Sequence, residues 1–282
     1  MSQESHIALL IDADNCPAAK IEEILDELAK YGVINIRRAY GNWKSPGLKS
    51  WEAVLHEYAI QPVQQFAYTK GKNATDSAMI IDAMDLLYSQ KLDGFCLASS
   101  DSDFTPLVMR IRANGLKVFG FGEKKTPSPF VNACSKFLYL ENLGSTEADA
   151  PAPEIPPAVT GTVRNEAESP ATGRAAASGD TARAAEAGPR ATPRPAPREL
   201  RSDARLVNLL RKSVEAAADD EGWAALGEVG QHISKQASFD SRNLGYARLR
   251  DLMQDIGLFE LVTRDKAIYV RDKRLAARKA TS

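Results

Sequence analysis

The stretch that decides the fold is Ile7-Ala8-Leu9-Leu10-Ile11-Asp12-Ala13-Asp14-Asn15. Five apolar residues without alternation predict a short strand covered on both faces, and such strands belong to parallel sheets flanked by helices. Pro17 then opens a helical pattern through Ile21, Ile24, Leu25 and Leu28, since proline suits the first turn of a helix. The same β-then-α rhythm continues outward. Strands are predicted near Ile34 to Tyr40, Pro62 to Phe66, Phe95 to Ala98, Lys117 to Phe121 and Phe137 to Leu140. Helices are predicted near Leu48 to Tyr58, Thr75 to Tyr88 and Phe104 to Ala113. This alternation predicts a mostly parallel α/β sheet with helices on both faces and a ligand site at the carboxyl ends of its strands.

Two strand ends are acidic. The first runs into Asp12-Ala13-Asp14-Asn15, and the fourth into Ser99-Ser100-Asp101-Ser102-Asp103. In a doubly wound sheet these strands are neighbours across the switch point, which would bring Asp12, Asp101 and Asp103 within reach of one another. Asp76, at the start of the long third helix, can point back at the same place. Like charges so close repel unless a cation lies between them, and an all-oxygen donor set suits Mg²⁺ or Mn²⁺. Singly, each aspartate also has an ordinary use as a turn residue or helix cap. Asp82, Asp85 and Asp93 are read as solvated helix or turn positions.

The rest of the chain sets the boundaries. Its 282 residues carry a net charge of −1, with 44% hydrophobic and 26% charged residues, values that exclude wholesale disorder. From Ser145 to Leu200 there is no aromatic residue and no lysine, and nine of the fifteen prolines fall there. Such a segment cannot bury enough apolar surface to order itself. The expected organisation is therefore a domain over residues 1–144, a disordered linker over 145–200 and a second domain over 201–282, the two domains working by tethering and not through a rigid interface. In the second, apolar periodicity predicts helices around Leu206 to Val214, Leu226 to Ile233 and Leu244 to Ile256, then a hairpin of Leu258 to Val262 with Ala267 to Val270. Three helices and a hairpin make a winged helix. Cys16, Cys96 and Cys134 are odd in number and lack CxxC spacing, so they are expected as buried thiols. No apolar run is long enough to span a membrane and the first residues lack a signal-peptide plan, so a cytoplasmic protein is expected.

Residues 5–144 resemble the NYN family of PIN-like ribonucleases, the LabA/DUF88 branch. The resemblance rests on Leu9 to Asn15, Tyr40-Gly41-Asn42-Trp43, Lys72 with Thr75-Asp76, and Ser99 to Phe104. It implies a metal-dependent ribonuclease whose acidic pocket corresponds to Asp12, Asp76, Asp101 and Asp103, with Asn15 as a supporting group. Ser100 stands where many members carry glycine. Residues 204–272 resemble the LOTUS (OST-HTH) domain through the Leu206 to Leu210 helix, Gly222-Trp223, Leu226 to Gly230, Asp240 to Tyr246 and the closing hairpin. That resemblance implies RNA binding or docking to a protein partner.

Cationic and aromatic residues near the pocket suit single-stranded or structured RNA. Lys70, Lys72, Arg38 and Trp43 are the expected contacts in the first domain, and Arg242, Arg248 and Arg250 in the second. A homodimer is left open. Two other functions compete with the nuclease: a non-catalytic RNA-binding scaffold on a PIN-like fold, and a phosphatase in which the first Asp of the strand-DxD opening is the nucleophile.

Overall fold

The structure is a computed structural model that describes residues 4–65, 74–89, 91–144, 195–265 and 267–274. Lys70, Lys72, the other residues of 66–73 and the linker positions 145–194 lie outside the described residues. In the first domain β1 (His6–Asp12) is the central strand, and Ile7 to Ile11 are each at most 1% exposed. Burial of each such leucine or isoleucine contributes about 1.5–3 kcal/mol, so this strand anchors the fold. The chain continues through α1 (Ile21–Ala29), β2 (Val33–Gly41), α2 (Trp51–Glu57), β3 (Gln61–Gln64), α3 (Ala74–Ser89), β4 (Gly94–Ala98), α4 (Thr105–Ala113), β5 (Lys117–Gly122), α5 (Ser128–Ala133) and β6 (Lys136–Tyr139).

All six strands are parallel, in the order β3-β2-β1-β4-β5-β6. Two cores follow from the two faces of this sheet. Ile7, Leu9 and Ile11 pack with Ile21, Ile24 and Leu28 of α1 and Trp51 of α2. Ala8 and Leu10 pack with Met79 and Ala83 of α3 and Val108 and Ile111 of α4. The period of two along β1 thus divides its side chains between opposite helix layers. The three cysteines are free and buried. The short α5 is absent from the sequence reading, because a six-residue helix with a proline in its first turn leaves no apolar period to read.

The second domain contains α6 (Pro197–Ser202), α7 (Ala204–Ala216), β7 (Ala224–Ala225), α8 (Leu226–Gln236), α9 (Leu249–Ile256), β8 (Phe259–Arg264) and β9 (Ala267–Asp272). β9 pairs antiparallel with both β7 and β8, which completes the winged-helix plan. Two expectations are corrected here. The linker does not extend to residue 200: α6 occupies its last positions, with Leu200 only 3% exposed in the core of this domain and Glu199 accepting the Ala196 amide at 3.2 Å. The third predicted helix is split, since a 3-10 turn at Ser241–Leu244 ends at Gly245, whose φ of 78° closes the turn before α9 begins.

A further correction concerns the tether. The described residues of the two domains fall within one compact unit, and hydrogen bonds and an ion pair connect the domains. Composition reports that residues 145–200 bury little; it carries no information on whether the surfaces flanking them fit each other.

Candidate active site

The β1–β4 pairing sets Ile11 opposite Ala98, so the residues that follow, Asp12 and Ser99, meet at the carboxyl edge of the sheet. Asp12 is 1% exposed. Its Oδ2 accepts Ser99 Oγ at 2.7 Å and Asn15 Nδ2 at 2.8 Å, and its Oδ1 accepts the Asp14 amide at 3.2 Å. Burial raises the Asp12 pKa, while the bonds from Ser99 and Asn15 act against that shift and hold the anion in place. Ser99, fully buried, uses the same hydroxyl to accept the Asp101 amide at 3.0 Å. One side chain therefore ties the two acidic strand ends together. Close approach of the next strand is part of this arrangement: a Cβ on Gly122 would lie 2.7 Å from the Ser99 carbonyl oxygen.

Asp101 and Asp103 follow β4 directly. Asp101 Oδ1 accepts the Asp103 amide at 2.8 Å and so caps the 3-10 turn Ser102–Phe104. The capping use and a place in the pocket coexist in this residue. Asp76 arrives from α3, whose first turn reaches the β1–α1 loop through Thr75 Oγ1, 3.5 Å from Asp14 Oδ2. Desolvation and then the charges of Asp12, Asp101, Asp103 and Asp14 push the Asp76 carboxyl up to about 6. The four expected carboxylates are thus brought into one field, together with Asp14.

Sharing a field is a looser condition than sharing a coordination sphere, because charge repulsion acts over distances well beyond a metal–oxygen bond. Among the described residues no three acidic, histidine or cysteine side chains stand as a formed metal cage. The donor chemistry nonetheless fits a hard divalent cation: the oxygens are all carboxylate, and the repulsion on Asp76 is what a dication would relieve. Asp12, Asp76, Asp101 and Asp103 would hold it, with Asn15 orienting Asp12. Beside Ala13, on the face of α1 and α2, a cavity of about 360 Å³ opens, lined by residues that include Asn15, Cys16, Trp51 and Lys125.

The expected RNA contacts fare differently. Arg38 is paired with Asp82 and its Nε donates to Gln61 Oε1 at 3.3 Å, so its charge is already balanced within the fold. Asp82 also accepts the hydroxyl of Tyr40, a residue with no exposed surface. Asp82 is therefore half-buried and structural, against its reading as a solvated position. The signal available was its place on the α3 face that carries Met79, Ala83 and Leu86. Trp43 packs partly buried against the core beside α1 and α2, with its indole Nε1 enclosed, and Trp51 is wholly core. Arg38 and Trp43, expected from the sequence as RNA contacts, are thus both engaged within the fold.

In the second domain Arg242 is largely withdrawn from solvent, with its guanidinium held by Glu27 and Asp240. Arg248 and Arg250 are exposed, as expected of phosphate contacts. Trp223, 6% exposed, lies between two arginines, the Arg264 guanidinium carbon 4.9 Å and that of Arg271 4.4 Å from the ring centroid.

A six-stranded parallel sheet with acidic strand ends, followed by a winged helix, defines a PIN-like α/β domain joined to a small winged-helix module. The chain carries an NYN domain over residues 6–141 and an OST-HTH/LOTUS domain over residues 201–270. It is 29% identical over 123 residues to an uncharacterized protein of Methanocaldococcus jannaschii, a match covering 42% of this chain and 48% of that protein. The chain thus spans about half the length of that relative. Among solved structures, a protein of unknown function from Vibrio parahaemolyticus is 18% identical over 49% of this chain and 94% of its own, with a TM-score of 0.42. An uncharacterized protein of Nitrosomonas europaea is 30% identical over 34% of this chain and 88% of its own, with a TM-score of 0.23. The pair of domains supports a role in ribonuclease action or RNA binding, since NYN domains are typically nucleases that use divalent metals. Among the described residues no helix is long and apolar enough to cross a membrane.

Proposed function

We propose that this chain is a divalent-metal-dependent ribonuclease that hydrolyses RNA phosphodiester bonds in its NYN domain and holds RNA with its LOTUS domain. The observation that carries this reading is the buried Asp12, fixed by Ser99 and Asn15 at the end of the central strand, with Asp76, Asp101 and Asp103 in the same field. Mg²⁺ or Mn²⁺ held by these carboxylates would supply activation of water and stabilisation of the leaving oxygen in an in-line displacement. The residues of the chain do the positioning. Asp12 is held in one orientation by three donors, Asp101 is fixed through the Ser99 hydroxyl, and Asp76 is brought in on the first turn of α3. Lys70 and Lys72, in the segment that leads into α3, are proposed to steer phosphates, and Arg248 and Arg250 to do so from the LOTUS domain.

The phosphatase reading needs an Asp12 that is open to attack a phosphomonoester. A metal at Asp12 needs the same carboxylate oxygens, of which Oδ2 already accepts from Ser99 and Asn15, so substrate turnover and not burial separates the two readings. Incubation with RNA and, in parallel, with p-nitrophenyl phosphate separates the alternatives. The nuclease releases oligonucleotides from RNA and leaves the small ester intact, the reverse outcome identifies a phosphatase, and RNA binding without turnover of either identifies a scaffold.

A further inference from the structure

The densest polar network outside the acidic pocket joins residues far apart in the sequence. Arg242 Nη1 and Nη2 donate to the two oxygens of Glu27, each at 2.7 Å, a parallel two-bond fork between guanidinium and carboxylate. The same guanidinium donates to Asp240 through Nε at 3.0 Å and Nη2 at 2.9 Å. Glu27 lies at the end of α1, 3% exposed, and also accepts Tyr31 Oη at 2.6 Å and Lys30 Nζ at 2.7 Å. Asp240 is balanced in turn by Lys136 of β6 at 2.9 Å, and that ammonium sits 5.0 Å from the Tyr31 ring centroid. Glu27 and Asp240 thus meet Arg242, Lys136 and Lys30, and no buried charge of the group is left uncompensated.

A second recognition element lies one residue on. β6 is the last strand of the sheet, so its outer edge offers unpaired main-chain groups. Asn243 meets both kinds: its Oδ1 accepts the Tyr139 amide at 3.1 Å, and its Nδ2 donates to the Phe137 carbonyl at 2.8 Å. The side-chain amide reads the strand edge as another strand would. Asp240 shapes the loop that presents both residues, since its Oδ1 accepts the Arg242 amide at 2.9 Å.

We infer that the segment Asp240–Asn243 is an interdomain latch, which seats the LOTUS domain on α1 and the β6 edge of the NYN domain so that the two move as one body. Its partner is the chain's own NYN domain, recognised by one buried carboxylate and one strand edge. The latch uses Arg242 and leaves Arg248 and Arg250 exposed, so the module can be docked and available to RNA together. Where the proposed nuclease reading holds, RNA on the module stands at a fixed station relative to the catalytic carboxylates, and the latch sets where along the RNA cleavage falls.

Backbone ¹⁵N relaxation on the intact chain tests the latch without metal or RNA, so its outcome is independent of whether the protein is a nuclease. The latch predicts one rotational correlation time for amides of β1 and of β8. In the Arg242→Ala, Asn243→Ala double variant it predicts two times, shorter for the LOTUS domain, with both domains giving dispersed spectra. If the double substitution unfolds the module, Asn243→Asp serves instead, because it sets a carboxylate against the Phe137 carbonyl while keeping Arg242; it too is expected to separate the two times. Two distinct times in the unmodified chain, or one shared time in the folded variants, overturns the proposal.

Discussion

Ser99 Oγ donates to Asp12 Oδ2 at 2.7 Å across the seam between β4 and β1, and the same oxygen accepts the Asp101 amide at 3.0 Å. The position of each acidic strand end is therefore conditional on one hydroxyl. Ser99→Ala should leave a buried Asp12 oxygen short of a donor at a cost of about 1–3 kcal/mol, read as a lower urea midpoint. It should also reduce cleavage, because Asp101 loses its anchor while every carboxylate remains.

Asp76 gives the pocket a pH signature. Its carboxyl is raised to about 6 from an ordinary 3.8, so the folded chain holds a proton there that the unfolded chain has released. In metal-free protein its contribution to stability is most favourable below about 4 and declines as pH rises towards 6. Asp76→Asn should flatten that part of the stability profile, measured by urea unfolding in EDTA across pH 4 to 7.

Glu27 carries the opposite sign. Burial opposes its ionisation, but the Arg242, Lys30 and Tyr31 bonds prevail and lower its pKa to about 2. Its contribution is complete above its ordinary value of 4.5 and is lost as pH falls towards 2. Removing one partner of a buried ion pair costs up to about 3–5 kcal/mol, so Arg242→Ala should lower the unfolding midpoint near neutral pH and narrow its gap to the unmodified chain in acid.

Asp82→Ala should destabilise without touching chemistry, since it strips the buried Tyr40 hydroxyl and Arg38 of their shared acceptor. A loss of about 1–3 kcal/mol in urea unfolding, with residual folded enzyme cleaving at the normal rate per molecule, is the expected result.

Much of this was legible in the sequence, for reasons that can be named. An unbroken apolar run as short as Ile7 to Ile11 reads as a strand covered on both faces, and adjacency of the first and fourth strands follows from the doubly wound order, so Asp12 and Asp101 could be placed together in advance. What could not be read depends on partners distant in the chain. Arg38 and Arg242 look alike as free cations until Asp82 and Glu27 are found opposite them, 44 and 215 positions away. Ser99 was visible only as part of a motif, because a serine announces neither burial nor a bond to a carboxylate on another strand. The docking of the two domains was illegible for the same reason: it rests on the side chains of Arg242 and Asn243 meeting Glu27 and a strand edge, and no periodicity encodes that.

Arg248→Ala with Arg250→Ala should weaken RNA binding across sequences and shallow its salt dependence, leaving the unfolding midpoint unchanged, because both side chains are exposed. Fluorescence anisotropy with labelled RNA over a series of salt concentrations reads both effects.

The most direct test of the catalytic account is cleavage of end-labelled single-stranded RNA by the full chain in Mg²⁺ or Mn²⁺, set beside EDTA and beside Asp101→Asn. The account predicts product only for the unmodified chain with metal, with Asp101→Asn folded and, without metal, no less stable, since a repelling charge has been removed. Cleavage that persists in EDTA, or undiminished cleavage by Asp101→Asn with metal present, would contradict it.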